Sequence, residues 1–382
     1  SNIKDFKFIN EIFGMEKGNQ VLIKQAKLMA SNPSERTICA RLMNDRFALC
    51  LPREEFDEKR VADSIKELQR EFSGNSFHLH TYMGVYEIRD RDEAVSIMVD
   101  KANIAADTIK NNYDCCVAYY DEHLLEISIE QRRLLGEFEP ALQNDEFVMY
   151  LQPQVKRDGA AKGAEALVRW VHPSRGILTP YAFIDILENA GLIYKLDLYI
   201  WEKAAQKLAE WKEKGYGSYH ISVNISTKDF YIIDIYETFT GLINKYGIAA
   251  SNLHLEITET TLMTDFEKNM NIIHKLQGVG FRVEIDDFGS GYSSLNMLKD
   301  ISADVLKIDM GFLRKSENEV KGQDILESII TLAGKIGMDV ITEGVETKKQ
   351  LDMLTMMGCH EFQGYYFSKP VPVSEFEEKY LV

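Results

Sequence analysis

The spacing of apolar and polar residues changes along the chain. Over residues 5–30 apolar side chains recur at intervals of three and four, which predicts a helix. Residues 37–52 predict two apolar strands that turn at Asn44-Asp45, a hairpin signal. Helical and strand patterns then continue in mixed order. We therefore predict a smaller α+β domain over 1–123, followed by a charged linker helix over 124–141.

From residue 142 apolar strand patterns alternate regularly with helical patterns. The strand candidates are FVMYLQP, EALVRW, HISVNIS, LHLEITE, RVEID, DVLKID, DVITEG and HEFQGYYF. Eight strands separated by helices indicate an α/β fold, a (β/α)8 TIM-like barrel over 142–382. A doubly wound open sheet is the alternative, but the sequence has no GxGxxG or Walker A loop to support it.

Composition narrows the range of partners. A formal net charge of −16 over 382 residues argues against binding a nucleic acid polymer. A small phosphate ligand remains compatible with this charge, because a bound metal reverses the local charge of a site.

No apolar run approaches the ~18 residues that span a bilayer. We expect a cytoplasmic chain, and an upstream sensor or membrane segment stays open because Ser1 is not an initiator Met.

The five cysteines form neither a CxxC motif nor a Cys/His metal pattern. Their odd number also argues against a disulfide framework. We expect them to be buried, reduced thiols. The eight histidines show no HExxH spacing, so a zinc protease site is not expected.

Acidic and amide side chains recur near the carboxyl ends of the predicted strands, where barrels of this class carry their functional residues. In chain order, with two basic residues among them, these are Glu165, Arg169, Asn224, Glu256, Glu259, Asp286, Asp287, Lys307, Asp309, Glu343, Glu346 and Gln363. An all-oxygen ligand set suits Mg²⁺ or Mn²⁺, and neighbouring aspartates suit two ions that hydrolyse a phosphoester. Taken singly, each acid also fits a helix cap, a loop residue or an ion pair.

Several motifs, taken together, resemble a known family. EAL stands at Glu165-Ala166-Leu167, and QPQV, PYAFI, SVNIS, EITE, DDFGSGYSSL, LKID, EGVE and QGYYFSKP accompany it in the family's order. Residues 140–382 thus resemble an EAL domain, a phosphodiesterase that opens cyclic di-GMP to linear pGpG. The resemblance implies a modified barrel with one antiparallel strand, and Mg²⁺ or Mn²⁺ as cofactor, with two ions.

The resemblance also implies roles for individual residues. The implied metal ligands are Glu165, Asn224, Glu256, Asp286, Asp287 and Glu343. Catalytic roles fall on Lys307, Glu343 and Glu165, with Lys307 positioning or deprotonating the water. Substrate contacts fall on Gln152, Arg169, Asp309 and Gln363, while Glu346 would steady the loop after Asp287. Three positions depart from the family: Ser290 replaces a common Thr, while Leu151 and Gln154 replace a common aromatic and a common aliphatic residue.

The first domain resembles a GGDEF domain in outline only. Where the family has GGDEF, this chain has Met43-Asn44-Asp45-Arg46-Phe47, so both glycines are missing and side chains occupy the place where a nucleotide would approach the backbone. Asn2 and Lys4 stand at the upstream acidic metal positions, and the inhibitory RxxD is absent near residues 34–37. We predict no cyclase activity. Binding of GTP, or a scaffold that transmits an upstream signal, both stay open.

The sequence thus predicts a cyclic di-GMP phosphodiesterase that is regulated or scaffolded by an inactive GGDEF-like domain. The alternative is a cyclic di-GMP receptor without turnover, which the intact set of metal positions disfavours. The resemblance further implies a homodimer formed through the barrel face that carries the Asp287 loop.

Overall fold

The computed structural model describes residues 1–4, 6–31, 34–72, 79–112, 115–288, 301–311 and 319–381. The chain divides into two compact units, Ser1–Arg133 and Leu134–Val382. The division falls inside the helix Glu122–Gln143, which covers the predicted linker. The functional bounds 1–123 and 142–382 stay a prediction. None of the described helices is both long and apolar enough to cross a membrane.

The first unit is an α+β unit. Its strands are β1 (Asn2–Ile3), β2 (Ile38–Arg41), β3 (Phe47–Cys50), β4 (Thr81–Val85) and β5 (Val117–Tyr119), and its helices are Phe6–Met29, Glu58–Phe72 and Val95–Thr108. β4 pairs antiparallel with β1 and parallel with β5. Gly84 on β4 lies under the helix Val95–Thr108, because a Cβ there would come within 1.8 Å of the carbonyl oxygen of Ala102.

The predicted hairpin is present, with β2 and β3 antiparallel. The expectation that all five cysteines are buried is wrong. Cys39 and Cys50 lie on this two-stranded ribbon and are exposed, whereas Cys116 and Cys359 are buried. All four residues on β2 are exposed, and the ribbon is not part of the three-stranded sheet.

The second unit contains the barrel. Its strands are β6 (Phe147–Lys156), β7 (Ala161–His172), β8 (Gly176–Leu178), β9 (His220–Ile225), β10 (Leu253–Thr258), β11 (Arg282–Phe288), β12 (Val305–Asp309), β13 (Asp339–Glu343), β14 (Glu361–Phe362) and β15 (Val371–Pro372). Its helices are Ile184–Ala190, Ile193–Glu213, Asp229–Ile232, Ile235–Tyr246, Glu259–Thr264, Phe266–Val279, Glu319–Lys335, Lys348–Met356 and Val373–Tyr380.

Eight of the described strands close the barrel in the order β6-β7-β9-β10-β11-β12-β13-β14, and β14 pairs back to β6. β6 is antiparallel to both of its neighbours, while the other seven run parallel. The predicted TIM-like barrel and its single antiparallel strand are both confirmed. β8 and β15 are short additions outside the closed ring.

The eighth predicted strand is shorter than expected. HEFQGYYF supplies only Glu361–Phe362, and the chain turns at Gly364. Gly364 has φ 157°, and a Cβ there would lie 2.2 Å from the carbonyl oxygen of Val345. The backbone therefore passes too close to Val345 for a side chain, and this turn leaves Gln363 at the end of the strand, facing the barrel mouth.

Candidate active site

Lys307 on β12 lies at the centre of the barrel mouth and is fully buried. Its ammonium nitrogen is 2.7 Å from Glu256 Oε2 and 2.7 Å from Glu343 Oε1. Asp286 Oδ1 follows at 3.1 Å and Glu165 Oε2 at 3.4 Å. Four strands besides β12 thus direct carboxylates at one cation, so the cluster carries an excess of negative charge.

The excess charge is visible in the electrostatics of the cluster. Burial alone would lower the pKa of Lys307, but the surrounding carboxylates, Asp286 first, raise it well above its usual range. Burial, against the effect of Lys307, raises the pKa of Glu343 to about 8. Burial and the neighbouring Glu165 raise the pKa of Glu256 well above its usual range. One ammonium therefore does not balance the carboxylates around it.

Amide side chains complete the wall around Glu165. Asn224 Nδ2 on β9 donates to Glu165 Oε1 at 3.2 Å, and Gln363 Nε2 donates to Glu165 Oε2. The same Gln363 amide also lies 3.3 Å from Gln152 Oε1 on β6. Gln152 in turn donates to the carbonyl oxygen of Ser368 at 3.4 Å. The structure thus brings four residues singled out in the sequence into one hydrogen-bonded group.

Asp286 and Asp287 lie side by side at the end of β11 because the strand is irregular there. The register between β11 and β12 shifts between Ile285 and Phe288. Asp287 has φ 56°, a left-handed conformation that is uncommon outside glycine. A regular strand would direct consecutive side chains to opposite faces. The bulge re-aims the chain, so that Asp286 contacts Lys307 while Asp287 lies exposed at the rim.

Three further candidates lie farther from Lys307. Arg169 is half-buried on β7, where its guanidinium lies 5.4 Å from the ring centre of Tyr150. Asp309 ends β12 and accepts a hydrogen bond from the Gly311 amide at 2.7 Å, so one of its oxygens is already engaged. Glu346 is exposed, after β13. The loop that Glu346 was expected to steady, with Ser290, lies outside the described residues.

The donor set fits a divalent cation. Five carboxylates and one amide line the mouth, and these oxygen ligands suit Mg²⁺ or Mn²⁺. Glu256 Oε1 is buried and has no hydrogen-bond partner among the described residues, so it remains available to a cation. A cation with two positive charges would also offset the carboxylates that Lys307 alone does not neutralise.

Below this cluster, toward the amino ends of the strands, the barrel interior holds polar residues that the sequence analysis did not single out as a group. We call these five residues the lower layer: Gln154, His220, Ser222, His254 and Glu284, all buried. The hydrogen bond from His254, acting against burial, lowers the pKa of Glu284 to about 2. Burial and the adjacent His254 hold the pKa of His220 well below its usual range.

Ligand atoms of three lower-layer residues lie within 4.8 Å of one another, namely those of His220, His254 and Glu284. The two imidazole rings are stacked, 3.8 Å apart and 4° from parallel. His220 Nε2 is paired with Gln154 Oε1 at 2.7 Å, and His254 Nδ1 with Glu284 Oε1 at 2.5 Å. Parallel rings do not direct their nitrogens at one point, so this group fits a hydrogen-bond network better than a metal site.

Comparison with known proteins agrees with this geometry. The family model of the EAL domain matches residues 136–370, and that of the diguanylate cyclase GGDEF domain matches residues 1–114. The bifunctional diguanylate cyclase/cyclic di-GMP phosphodiesterase MucR of Pseudomonas aeruginosa is 30% identical over 98% of this chain and 55% of its own length. The cyclic di-GMP phosphodiesterase NbdA of the same organism is 28% identical over 99% of this chain and 49% of its own.

The chain therefore spans about half the length of these curated relatives. Among solved structures, the PaMucR phosphodiesterase in complex with c-di-GMP superimposes with a TM-score of 0.61 at 33% identity. That match covers 64% of this chain and 99% of the other. The chain belongs to the EAL domain family, and a GGDEF domain precedes its EAL domain.

Proposed function

We propose that this chain hydrolyses cyclic di-GMP to linear pGpG at the barrel mouth. One observation carries the proposal: Lys307 lies within 3.4 Å of four carboxylates at the ends of strands, in a chain of the EAL family. Relatives described as cyclic di-GMP phosphodiesterases, and a neighbour solved with c-di-GMP, support this substrate.

The cofactor is a divalent cation, and we propose Mg²⁺ or Mn²⁺ in two sites. The residues that would hold the ions are Glu165, Asn224, Glu256, Asp286, Asp287 and Glu343. When bound, such ions polarise a phosphate oxygen and activate a water for attack. The cluster is built to receive positive charge, since its carboxylates outnumber its one ammonium.

Lys307 acts in this proposal as a cation. The four carboxylates around it favour the ammonium form, which donates hydrogen bonds that would position the water and stabilise charge that grows on the phosphate. Water adds its hydroxyl to the phosphorus, the bond to one ribose 3′ oxygen breaks, and that oxygen takes a proton. Arg169, Asp309, Gln152 and Gln363 would orient the substrate, with Gln152 and Gln363 acting through their shared hydrogen bond.

The first unit would act as an inactive GGDEF-like module, either binding GTP or transmitting a signal from an upstream sensor or membrane segment. A homodimer would form through the barrel face that carries the Asp287 loop. A cytoplasmic location fits the nucleotide substrate.

The test is direct hydrolysis. Purified protein is incubated with cyclic di-GMP and Mg²⁺ or Mn²⁺, with and without a chelator, and pGpG is followed by chromatography. Glu165→Ala should reduce turnover at least about a hundredfold. Glu361→Ala is the matched control, since Glu361 lies on a barrel strand but pairs with Lys162. Nucleotide binding by calorimetry without product from the wild type would indicate the receptor instead.

A further inference from the structure

The first unit contains a cavity that is built entirely from its own residues. Residues of the helices Phe6–Met29 and Glu58–Phe72 line this cavity, together with residues of β3 and β4. Its volume is about 100 Å³, and all of its lining residues belong to the first unit. The described hairpin-turn residues 43–47 do not line it. The cavity is therefore distinct from the place where a nucleotide would approach the hairpin.

The apolar core of this unit is divided at the cavity. Ile65 and Met83 belong to one cluster of buried apolar residues, whereas Leu68 belongs to another. All three residues line the cavity. A domain usually has one contiguous core, as in the barrel, where one cluster runs from Leu134 to Leu381. An apolar ligand in the cavity would pack against both clusters and remove their facing side chains from water, which is favourable.

Two polar side chains in the cavity wall have an atom without a hydrogen-bond partner among the described residues. These atoms are Gln25 Oε1 and Thr81 Oγ1, and the two side chains are only 3% and 1% exposed. Gln25 lies one helical turn before Met29, and Thr81 shares a face of β4 with Met83, so both lie among apolar lining residues. Gln25 Nε2 donates to Ser1 Oγ at 2.8 Å, which leaves Oε1 as an acceptor. A buried acceptor without a donor is unfavourable, so the cavity favours a ligand with an O–H or N–H group.

The charge and the size of the cavity restrict the class of ligand. Its charged lining side chains are the carboxylates of Glu55 and Asp57 and the guanidinium of Arg60. Glu55 Oε2 accepts from the Thr37 hydroxyl at 3.1 Å, and Asp57 Oδ1 accepts from the Arg60 backbone amide at 3.2 Å. A phosphate group would thus meet more negative than positive charge. The volume suits a single ring, since an apolar cavity of about 150 Å³ binds benzene, and drug-sized ligands need roughly 300–1,000 Å³.

We propose that this cavity binds a small, uncharged, mainly apolar molecule the size of a single aromatic ring, which donates a hydrogen bond to Gln25 Oε1. The hydroxyl of Thr81 offers a second polar contact, as donor or as acceptor. The GGDEF-like unit is thereby a receptor for a neutral ligand, whether or not a nucleotide also binds at its hairpin. Binding in the cavity does not depend on hydrolysis at the barrel mouth, because every lining residue lies in the first unit.

The test uses the full chain and two probes of similar size, phenol and toluene, of which only phenol has a hydrogen-bond donor. Calorimetry should show saturable binding of phenol by the wild type. Gln25→Leu removes the acceptor, so phenol affinity should fall about two- to tenfold, as expected for one lost hydrogen bond, while toluene affinity does not fall. Gln20→Leu is the matched control, since Gln20 is exposed on the same helix, and it should leave phenol affinity unchanged.

Ser64→Phe places a ring at the cavity wall and should abolish the binding of both probes. If either variant fails to fold, hydrogen exchange of the wild type decides the question. Phenol should then slow exchange in Phe6–Met29, Glu58–Phe72 and β4, and not in the barrel strands. The proposal would be overturned if the wild type showed no saturable binding of phenol, or if folded Gln25→Leu bound phenol as tightly as the wild type. Protection confined to the barrel would overturn it as well.

Discussion

The barrel mouth and the hairpin of the first unit both carry acidic residues at the ends of strands, yet they use them differently. At the mouth, carboxylates from four strands converge on Lys307 and keep oxygen atoms unpaired. In the hairpin, Asp45 Oδ2 accepts the Ile3 backbone amide at 2.8 Å, so the carboxylate holds the hairpin to β1.

The residues around Asp45 also indicate a structural role for the hairpin turn. Asn44 adopts φ 54° in the turn, and the Arg41 guanidinium donates to the Asn44 carbonyl oxygen at 2.6 and 2.9 Å. Side chains therefore fill the turn where glycines would leave the backbone open. A carboxylate that accepts a hydrogen bond from the backbone, as Asp45 does, stabilises the fold. Carboxylates that outnumber the cations beside them, as at the barrel mouth, are available for chemistry.

Removing the Lys307 ammonium from the barrel mouth tests this contrast most severely. Lys307→Met leaves the buried carboxylates without their ammonium, and we expect cyclic di-GMP hydrolysis to fall by at least about a hundredfold. The measurement is the initial rate of pGpG formation at saturating metal. Lys162→Met is the control, since Lys162 pairs with Glu361 at the opposite end of the barrel and should retain activity. Equal rates for both variants would contradict the assignment of Lys307.

Adding metal should affect the two regions unequally. A bound ion stabilises the native state by about 2.7 kcal/mol at roughly a hundredfold excess over Kd. Hydrogen exchange followed by mass spectrometry should therefore slow in β10 and β12 when Mn²⁺ is added, and should not change in the hairpin. A chelator should reverse the effect. Protection that rises equally in β2 and β3 would show that the hairpin, too, responds to the ion.

The smallest effect is expected in the hairpin itself. Asp45→Ala removes the acceptor of the Ile3 amide and should cost the first unit about 1 kcal/mol of stability. Chemical denaturation gives the stability, and the hydrolysis rate should stay at the wild-type value. Asp90→Ala is the control, because the hydrogen bond that Asp90 accepts from the Asp92 amide lies within its own exposed turn. A change in turnover for Asp45→Ala alone would mean that the hairpin controls the barrel.

The sequence was sufficient to predict the barrel, because its strands are apolar runs of regular spacing. It also predicted the cluster at the mouth, because parallel strands bring their carboxyl ends together. The sequence was not sufficient to predict the lower layer of buried polar residues. His254 and Glu284 occupy alternate positions in LHLEI and RVEID, and such alternation normally indicates a solvent-facing side. Only closure of the barrel turns that side inward. The hydrogen bond of Asp45 to Ile3 was likewise invisible, because it joins residues 42 positions apart.

The backbone of Asp287 bears on how this protein would respond to laboratory evolution. A left-handed conformation at a residue other than glycine costs roughly 1–3 kcal/mol. Glycine at position 287 would relieve that cost, so a library screened for heat resistance alone should become enriched in glycine there. A library screened for turnover should retain aspartate. Sequencing both pools at this one codon would separate selection for folding from selection for chemistry.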